Sequence, residues 1–267
     1  MTDYEKLLLT AIHASLEAGK AILSVYHGDF NVSLKGDQSP LTKADIDSHE
    51  VLTRLMTSTG LPILSEEASN IAFEQRSQWS SFWLIDPLDG TKEFIHRNGE
   101  FTVNVALIEA GVPKLGVVFA PASDELYAGI EGMGAWYLSN VSAINQIRFE
   151  DLISLNVASP IEQSSSHHYT VAVSRSHADE KTSLYLSSLE SSKGTIRILE
   201  AGSAMKLCLV AARKADEYPR FGPTYEWDIA AGHAVLLGVN KDVISMEDNL
   251  RLRYNKPDLI NPAFIAK

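Results

Sequence analysis

The run Phe82-Trp83-Leu84-Ile85 passes without a polar spacer into Asp86-Pro87-Leu88-Asp89-Gly90-Thr91. A short unbroken apolar run bounded by turn residues predicts a buried strand. Such a strand does not ordinarily end in two acids three residues apart. Pro87 removes a backbone donor and bends the chain, and Gly90 lets the backbone approach a ligand closely. The segment can thereby aim two carboxylates and the Leu88 carbonyl into one space, a hard oxygen cage suited to Mg²⁺. A helix beginning near Gly90-Thr91 would turn its first amides and positive dipole end toward a phosphate oxygen beside that cage. Taken alone, the hexapeptide is equally an ordinary turn with an aspartate cap.

The length of 267 residues allows one large domain or two fused sub-domains. Lysine and arginine number 23 against 34 aspartates and glutamates, a formal charge of −11, which argues against binding long nucleic acids through a basic stripe. A small anionic ligand fits only where cations or helix N-termini reverse the local field, so the position of the carboxylates matters more than their number. Cys208 is the single cysteine, which excludes an intrachain disulfide and the cysteine-based zinc templates and points to a reducing cytosol. His167 and His168 lie in a Ser-rich segment without the helical two-histidine spacing of a zinc enzyme. The opening Met1-Thr2-Asp3-Tyr4-Glu5 is acidic where a signal peptide is basic, and the apolar run Leu7-Leu8-Leu9 stops at Thr10. No stretch approaches the ~20 uninterrupted apolar residues of a membrane helix. These features predict a cytoplasmic protein without stable membrane insertion, with weak peripheral association at the cytoplasmic face of the inner membrane left open.

Leu8, Ile12, Leu16, Ile22 and Tyr26 recur near helical spacing before Gly28, which predicts an amphipathic opening helix. Ile46, His49, Leu52 and Met56 predict a second, with Thr42 and Asp45 where it begins. Pro62-Ile63-Leu64-Ser65 reads as a short strand running into Glu66-Glu67, Phe101 to Ile108 and Leu115 to Pro121 as a hairpin, and Leu126 to Leu138 as further strand. The first half is thus helices on a largely antiparallel sheet. Beyond it strand and helix alternate, over Tyr169 to Val173, Glu180 to Leu189, Thr195 to Leu199 and Ser203 to Ala212. An N-terminal α+β sub-domain over 1–150 and a C-terminal α/β sub-domain over 151–267 are expected, with Gln163 to His168 as the candidate boundary.

Further acids could join Asp86 and Asp89. Glu66-Glu67 stands at a strand end, where adjacent acids are commonly just solvated. Asp45 fits the Thr-x-x-Asp pattern of a helix cap. Asp228, between Trp227 and Ile229-Ala230-Ala231-Gly232, either caps a helix or closes the cage from the second half.

In order along the chain, Asp45, Ser65-Glu66-Glu67, the hexapeptide Asp86 to Thr91 and Trp227-Asp228 closely resemble the motifs of the Mg²⁺-dependent, lithium-sensitive phosphatases of the inositol monophosphatase superfamily. The resemblance runs from the opening helix to Asn261-Pro262. It implies a layered α-β-α-β-α sandwich with metals at the junction of its halves. Lys92-Glu93-Phe94, Arg97 to Asn104, Gly202 to Cys208 and Tyr218 to Thr224 are similar to the 3'(2'),5'-bisphosphate nucleotidase branch of the CysQ type; inositol monophosphatases typically read Thr-Asn-Phe at the first of these places. The resemblance implies two or three Mg²⁺ held by Glu66, Asp86, the Leu88 carbonyl, Asp89 and Asp228, with Asp45 near a further, weaker metal. The scissile phosphate would lie against Glu66, Leu88, Asp89, Gly90, Thr91 and Asp228, with Gly90 and Thr91 holding it. Ser203, Lys206 and Arg220 would hold the nucleotide's other phosphate or its sugar, and His177 would face the nucleotide.

On this reading the partner is a small nucleotide bisphosphate. The 3'-phosphate of adenosine 3',5'-bisphosphate is hydrolysed to give AMP and phosphate, with 3'-phosphoadenosine 5'-phosphosulfate as a second substrate, in sulfate assimilation and nucleotide recycling. The protein is expected as a monomer or homodimer. Phosphomonoester hydrolysis is extremely slow without catalysis, and the expected catalytic groups are Glu66 and a Thr91–Asp45 hydrogen-bond pair, which help deprotonate the attacking water. Cys208 is expected to be inert core. Three readings compete: a phosphatase of the same superfamily acting on inositol phosphates or fructose 1,6-bisphosphate, a non-catalytic divalent-metal module that senses nucleotides, and a purely structural reading in which the acids are all caps and loops and no metal binds.

Overall fold

Thr2 and Glu5 close a capping box, each side chain accepting the other's backbone N–H, and so begin α1 (Asp3–Tyr26). The computed structural model describes residues 1–34, 40–144, 146–155, 168–175 and 180–267. Leu8, Ala11, Ile12, Ala18 and Ile22 form the buried stripe of α1, as the periodicity predicts. By length and composition α1 could cross a membrane, yet half of its most apolar stretch is buried inside the molecule; it is a core helix. The ribbon of β1 (Val32–Leu34) and β2 (Pro40–Thr42) leads into α2 (Lys43–Met56), which buries Ala44, Asp45, Ser48, Leu52 and Met56. Ile46, expected on the inner face, is exposed. It lies two residues from both Ala44 and Ser48, about 200° around the helix, because the inward position is given to the acid Asp45.

β3 (Ile63–Ser65) leads through the one-turn helix α3 (Phe73–Arg76) to β4 (Ser81–Asp89), its parallel neighbour. β4 ends at α4 (Thr91–Ile95). β5 (Thr102–Glu109), β6 (Val112–Ala120), β7 (Glu125–Ile130), β8 (Gly134–Ser139) and β9 (Ile153–Ser154) then continue antiparallel in a seven-stranded sheet whose spatial order is the chain order. The β4–β5 ladder holds to Asp86 and resumes only at Asp89. Pro87 has no amide for a ladder, and the interruption bends the strand end out of the sheet.

In the second half, β10 (Thr170–Ser174) pairs parallel with β11 (Arg197–Ala201) across α5 (Glu180–Lys193). The segment from Gln163 to His167 falls outside the described residues, as does His177. Val171 bridges to Glu217 beside β12 (Tyr218–Arg220), and β14 (Phe264–Ala266) joins β12 to β13 (Val243–Ser245). α6 (Met205–Ala211) and α7 (Glu226–Gly238) fill the space between the two sets of strands. One face of the large sheet sends Trp83, Ile85, Val103, Val105 and Val117 against α1 and α2, and the other sends Phe82, Leu84, Ala106, Ile108 and Val118 against α6 and α7. α5 lies outside the smaller strands, tied by the Tyr185 hydroxyl, which donates to Glu217 at 2.8 Å. The layers therefore run α-β-α-β-α. α7 is apolar nearly all round and lies directly on the sheet, because a Cβ at Gly116 would stand 2.5 Å from the Ala231 carbonyl oxygen and one at Gly129 2.5 Å from Val235 Cα.

Candidate active site

Where β4 leaves the sheet a cavity of about 470 Å³ opens, lined by Glu66, Asp86, Leu88, Asp89, Gly90 and Thr91 from the first half and by Ser203, Lys206, Arg220 and Asp228 from the second. The Leu88 N–H donates to Asp86 Oδ1 at 3.1 Å, and the Ser48 hydroxyl of α2 donates to the Pro87 carbonyl at 2.6 Å; together they fix the bend. Gly90 sits at φ 93°, and a Cβ there would meet the Glu100 carbonyl oxygen at 3.2 Å, so this position takes glycine on both counts. α4 is only five residues long. It begins where a helix was expected, and at this length it offers a phosphate few aligned peptide dipoles. Glu67 is not among the residues lining the cavity.

Two of the acids turn out to cap helices and reach the site as well. Asp45 Oδ2 accepts the Thr42 N–H at 2.7 Å and the Thr42 hydroxyl at 2.6 Å, while Oδ1 accepts the Thr91 hydroxyl at 3.2 Å. Asp45 thus stands behind Thr91, with Thr91 facing the cavity. Asp228 Oδ2 accepts the Tyr225 N–H at 2.8 Å, and its carboxylate also lines the cavity.

Burial raises the Asp86 carboxyl well above the usual carboxylate range, and the charges of Glu66, Asp89 and Asp228 raise it further. Burial and the nearby Asp89 do the same to Asp228. Asp89 is also raised by burial, against the opposing pull of the Ser203 hydroxyl, the Lys206 ammonium and the Asn104 amide. Glu66 stands close to the Asp86 carboxyl and opposes its ionisation, and a cation among the same oxygens would relieve that repulsion. Among the described residues no three acids already stand as a formed metal-holding group. The donor set is nevertheless all oxygen, anionic and mutually repelling, and it fits a hard divalent cation of the Mg²⁺ type rather than zinc.

Cations line the same cavity. Lys206 is buried, donating from Nζ to the Ser203 carbonyl at 2.6 Å and the Ala201 carbonyl at 3.2 Å. Burial pushes its ammonium down to about 8, with Asp89 acting the other way. Arg220 Nη2 donates to the Pro223 carbonyl at 3.2 Å, while its Nε is buried with no hydrogen-bond acceptor. Ser203 adopts φ 51°. Its hydroxyl donates to Asp89 Oδ2 at 2.5 Å and lies 2.5 Å from the Thr102 hydroxyl, so it holds the acid while lining the cavity. Thr102 and Asn104, whose amide donates to Asp89 Oδ2 at 3.3 Å, support the same carboxylate from β5. Sequence reasoning passed over both as supports of Asp89; the signal was two polar residues alternating on one face of an apolar strand. Cys208 is buried, and burial pushes its thiol up, consistent with inert core.

The inositol monophosphatase family model matches residues 3–266. The 3'(2'),5'-bisphosphate nucleotidase CysQ of Salmonella typhimurium is 42% identical over 251 residues, covering 92% of this chain and 94% of the relative. Its namesake in Escherichia coli strain K12 is 43% identical over the same 92% and 94%. The crystal structure of CysQ from Bacteroides thetaiotaomicron, described as a bacterial member of the inositol monophosphatase family, superposes with a TM-score of 0.87 at 40% identity, over 99% of this chain and 98% of that one.

Proposed function

The chain belongs to the inositol monophosphatase family, and we propose that within it the protein is a Mg²⁺-dependent 3'(2'),5'-bisphosphate nucleotidase of the cytoplasm. It hydrolyses adenosine 3',5'-bisphosphate to AMP and phosphate, and 3'-phosphoadenosine 5'-phosphosulfate by the same cleavage. The observation that carries this reading is a single cavity lined both by the acids Glu66, Asp86, Asp89 and Asp228 and by the cations Lys206 and Arg220. A cation-loaded acid cluster takes one phosphate, and Lys206 and Arg220 in the same cavity, the latter with an N–H lacking an acceptor, take a second. Relatives carrying this activity in their names at 42% identity over 92% of the chain support it.

Glu66, Asp86, the Leu88 carbonyl, Asp89 and Asp228 would hold the metal, with Asp45 near a further ion. When bound, Mg²⁺ supplies Lewis acidity that eases deprotonation of water and neutralises charge on the transferring phosphoryl group. Thr91 gives its own proton to Asp45 Oδ1, which leaves its oxygen free to accept from the attacking water and hold it in line. Glu66 and the Thr91–Asp45 pair are the groups placed to receive that water's proton. Gly90 and Thr91 face the scissile phosphate, and Ser203 keeps Asp89 oriented. Lys206 and Arg220 hold the 5'-phosphate, which aims the ribose 3'-oxygen at the acids.

Phosphate release by the purified protein, with Mg²⁺ or with EDTA, on adenosine 3',5'-bisphosphate, inositol 1-phosphate and fructose 1,6-bisphosphate tests this reading. A kcat/KM for the adenylate at least about tenfold above either sugar phosphate is expected, and none with EDTA. Preference for a sugar phosphate rejects the nucleotidase assignment and keeps the metal chemistry. No release on any of the three leaves a nucleotide-binding module.

A further inference from the structure

Among the residues lining the catalytic cavity, Tyr225 is 41% exposed although it carries a large aromatic ring. That ring lies stacked on Trp227, with centroids 4.7 Å apart and planes 9° from parallel. Other ring pairs at the site and in the core are tilted or edge-on, as between Phe94 and Phe101 or Tyr218 and Phe264. Trp227 itself is buried, so one face of Tyr225 is covered and its exposed area lies on the remainder of the ring. The backbone beneath is held on both sides: the N–H donates to Asp228 Oδ2 at 2.8 Å and the carbonyl accepts from Asn261 Nδ2 at 2.7 Å. Tyr225 also bridges to Ile260, which is 42% exposed and lines the same cavity. A flat aromatic shelf therefore stands in the same cavity as the acids and the two cations.

We propose that Tyr225, backed by Trp227 and flanked by Ile260, is the platform on which the base of the substrate stacks, and that it is the residue by which this site distinguishes a nucleotide from a sugar phosphate. The proposal rests on the nucleotidase reading for the identity of the substrate. A preformed aromatic face costs little ordering on binding, and every base offers it a π-face, so the shelf selects for a base rather than for one particular base. The larger purine area covers more of it than a pyrimidine does. Tyr225 and Asp228 are joined by a hydrogen bond across the start of α7. The base and the scissile phosphate are thus read by residues one helical turn apart.

The test compares wild type, Tyr225→Ala and Tyr225→Phe on adenosine 3',5'-bisphosphate and on base-free 1-deoxyribose 3,5-bisphosphate. Tyr225→Ala is expected to raise KM for the adenylate about tenfold and KM for the base-free substrate by less than about twofold, while Tyr225→Phe restores the wild-type value, since stacking does not need the hydroxyl. Equal rises on both substrates, or none on either, overturn the platform. Calorimetric Kd values for AMP and ribose 5-phosphate with Mg²⁺ present make the test independent of turnover. AMP should bind wild type about tenfold more tightly than ribose 5-phosphate, and Tyr225→Ala should erase that advantage; equal Kd values in wild type sink the proposal. A protein that prefers inositol 1-phosphate yet shows the AMP advantage would lose the nucleotidase reading and keep the platform.

Discussion

Asp86 to Thr91 reach the cavity as one continuous stretch of chain, whereas Ser203, Lys206, Arg220 and Asp228 come to it from α6, β12, α7 and the turns before them. The first wall continues a strand paired on both sides, by β3 and β5, and is secured by short-range contacts, such as Leu88 N–H to Asp86. The second exists only because α7 lies on Gly116 and Gly129 and because side chains such as Lys206 grip backbone carbonyls. On the proposed function the strand end supplies most of the metal-holding oxygens, and the assembled wall supplies the cations that select the substrate, with Asp228 as its one contribution to the acid cluster.

The sharpest way to break this division is Asp89→Asn. It removes a carboxylate from the strand-end wall while keeping a side chain that Ser203 and Asn104 can still hold, and it should cut kcat on order of 10³-fold or more in a phosphate-release assay. Stability should move the other way. Asp89 raises the cost of ionising both Asp86 and Asp228, so in EDTA the variant should melt at or above the wild-type temperature. Residual turnover above about a tenth of wild type would mean that the acids are not the catalytic wall.

The two walls also differ in how far they could be read from residues alone. The strand end was legible because its acids, proline and glycine are neighbours in sequence, and the cap at Asp45 because Thr42 stands three positions earlier. The Thr91–Asp45 pair, which joins two segments 46 residues apart, was foreseen through the family resemblance and not through local spacing. Ile46 was misplaced because periodicity assigns the inner face to apolar side chains and cannot foresee a buried acid. α7 offered no stripe to read, being apolar on nearly every side; the usable trace of its position was a glycine in each of two apolar strands, Gly116 and Gly129. The hydrogen bond from the Ser203 hydroxyl to Asp89 was not legible, since the two residues stand 114 positions apart. Tyr225 went unnoticed because an exposed and a buried aromatic look alike in sequence.

Gly129→Ala tests the dependence of the second wall on packing. Its Cβ would stand 2.5 Å from Val235 Cα and 2.7 Å from the Ala234 carbonyl oxygen, both backbone atoms of α7. The helix must shift, and a loss of about 3 kcal/mol in urea unfolding is expected. In the folded variant KM for the bisphosphate should rise more than kcat falls. A proportionate loss of both would show that the strand-end wall moves with α7 and that the walls are not separable.

Lys206→Met keeps most of the buried volume and removes only the charge and its hydrogen bonds to Ser203 and Ala201. KM for adenosine 3',5'-bisphosphate should rise by about 10- to 100-fold, while KM for adenosine 3'-monophosphate changes far less. Equal rises on both would place Lys206 in the support of Ser203 rather than in the recognition of a second phosphate.

The smallest expected effect lies in pH. His233, fully buried on α7, meets Asp242 Oδ1 at 2.8 Å and the Tyr254 hydroxyl at 2.9 Å. Burial lowers its pKa, with Asp242 opposing. The folded state therefore favours the neutral ring, and the stability this contributes is complete above the unfolded histidine value of about 6.5; it is lost as pH falls through the lower folded value. Asp242, whose carboxyl is lowered by the hydrogen bonds it accepts from His233 and Arg251 despite its burial, adds a loss of the same sign further into acid. Because α7 carries both His233 and Asp228, acidification from pH 7 toward 5 should speed amide hydrogen exchange along α7 before it does so along β4, once the intrinsic pH dependence of exchange is removed. His233→Gln should flatten that difference. Simultaneous loosening of α7 and β4 would tie the two walls into one cooperative unit and remove the distinction between them.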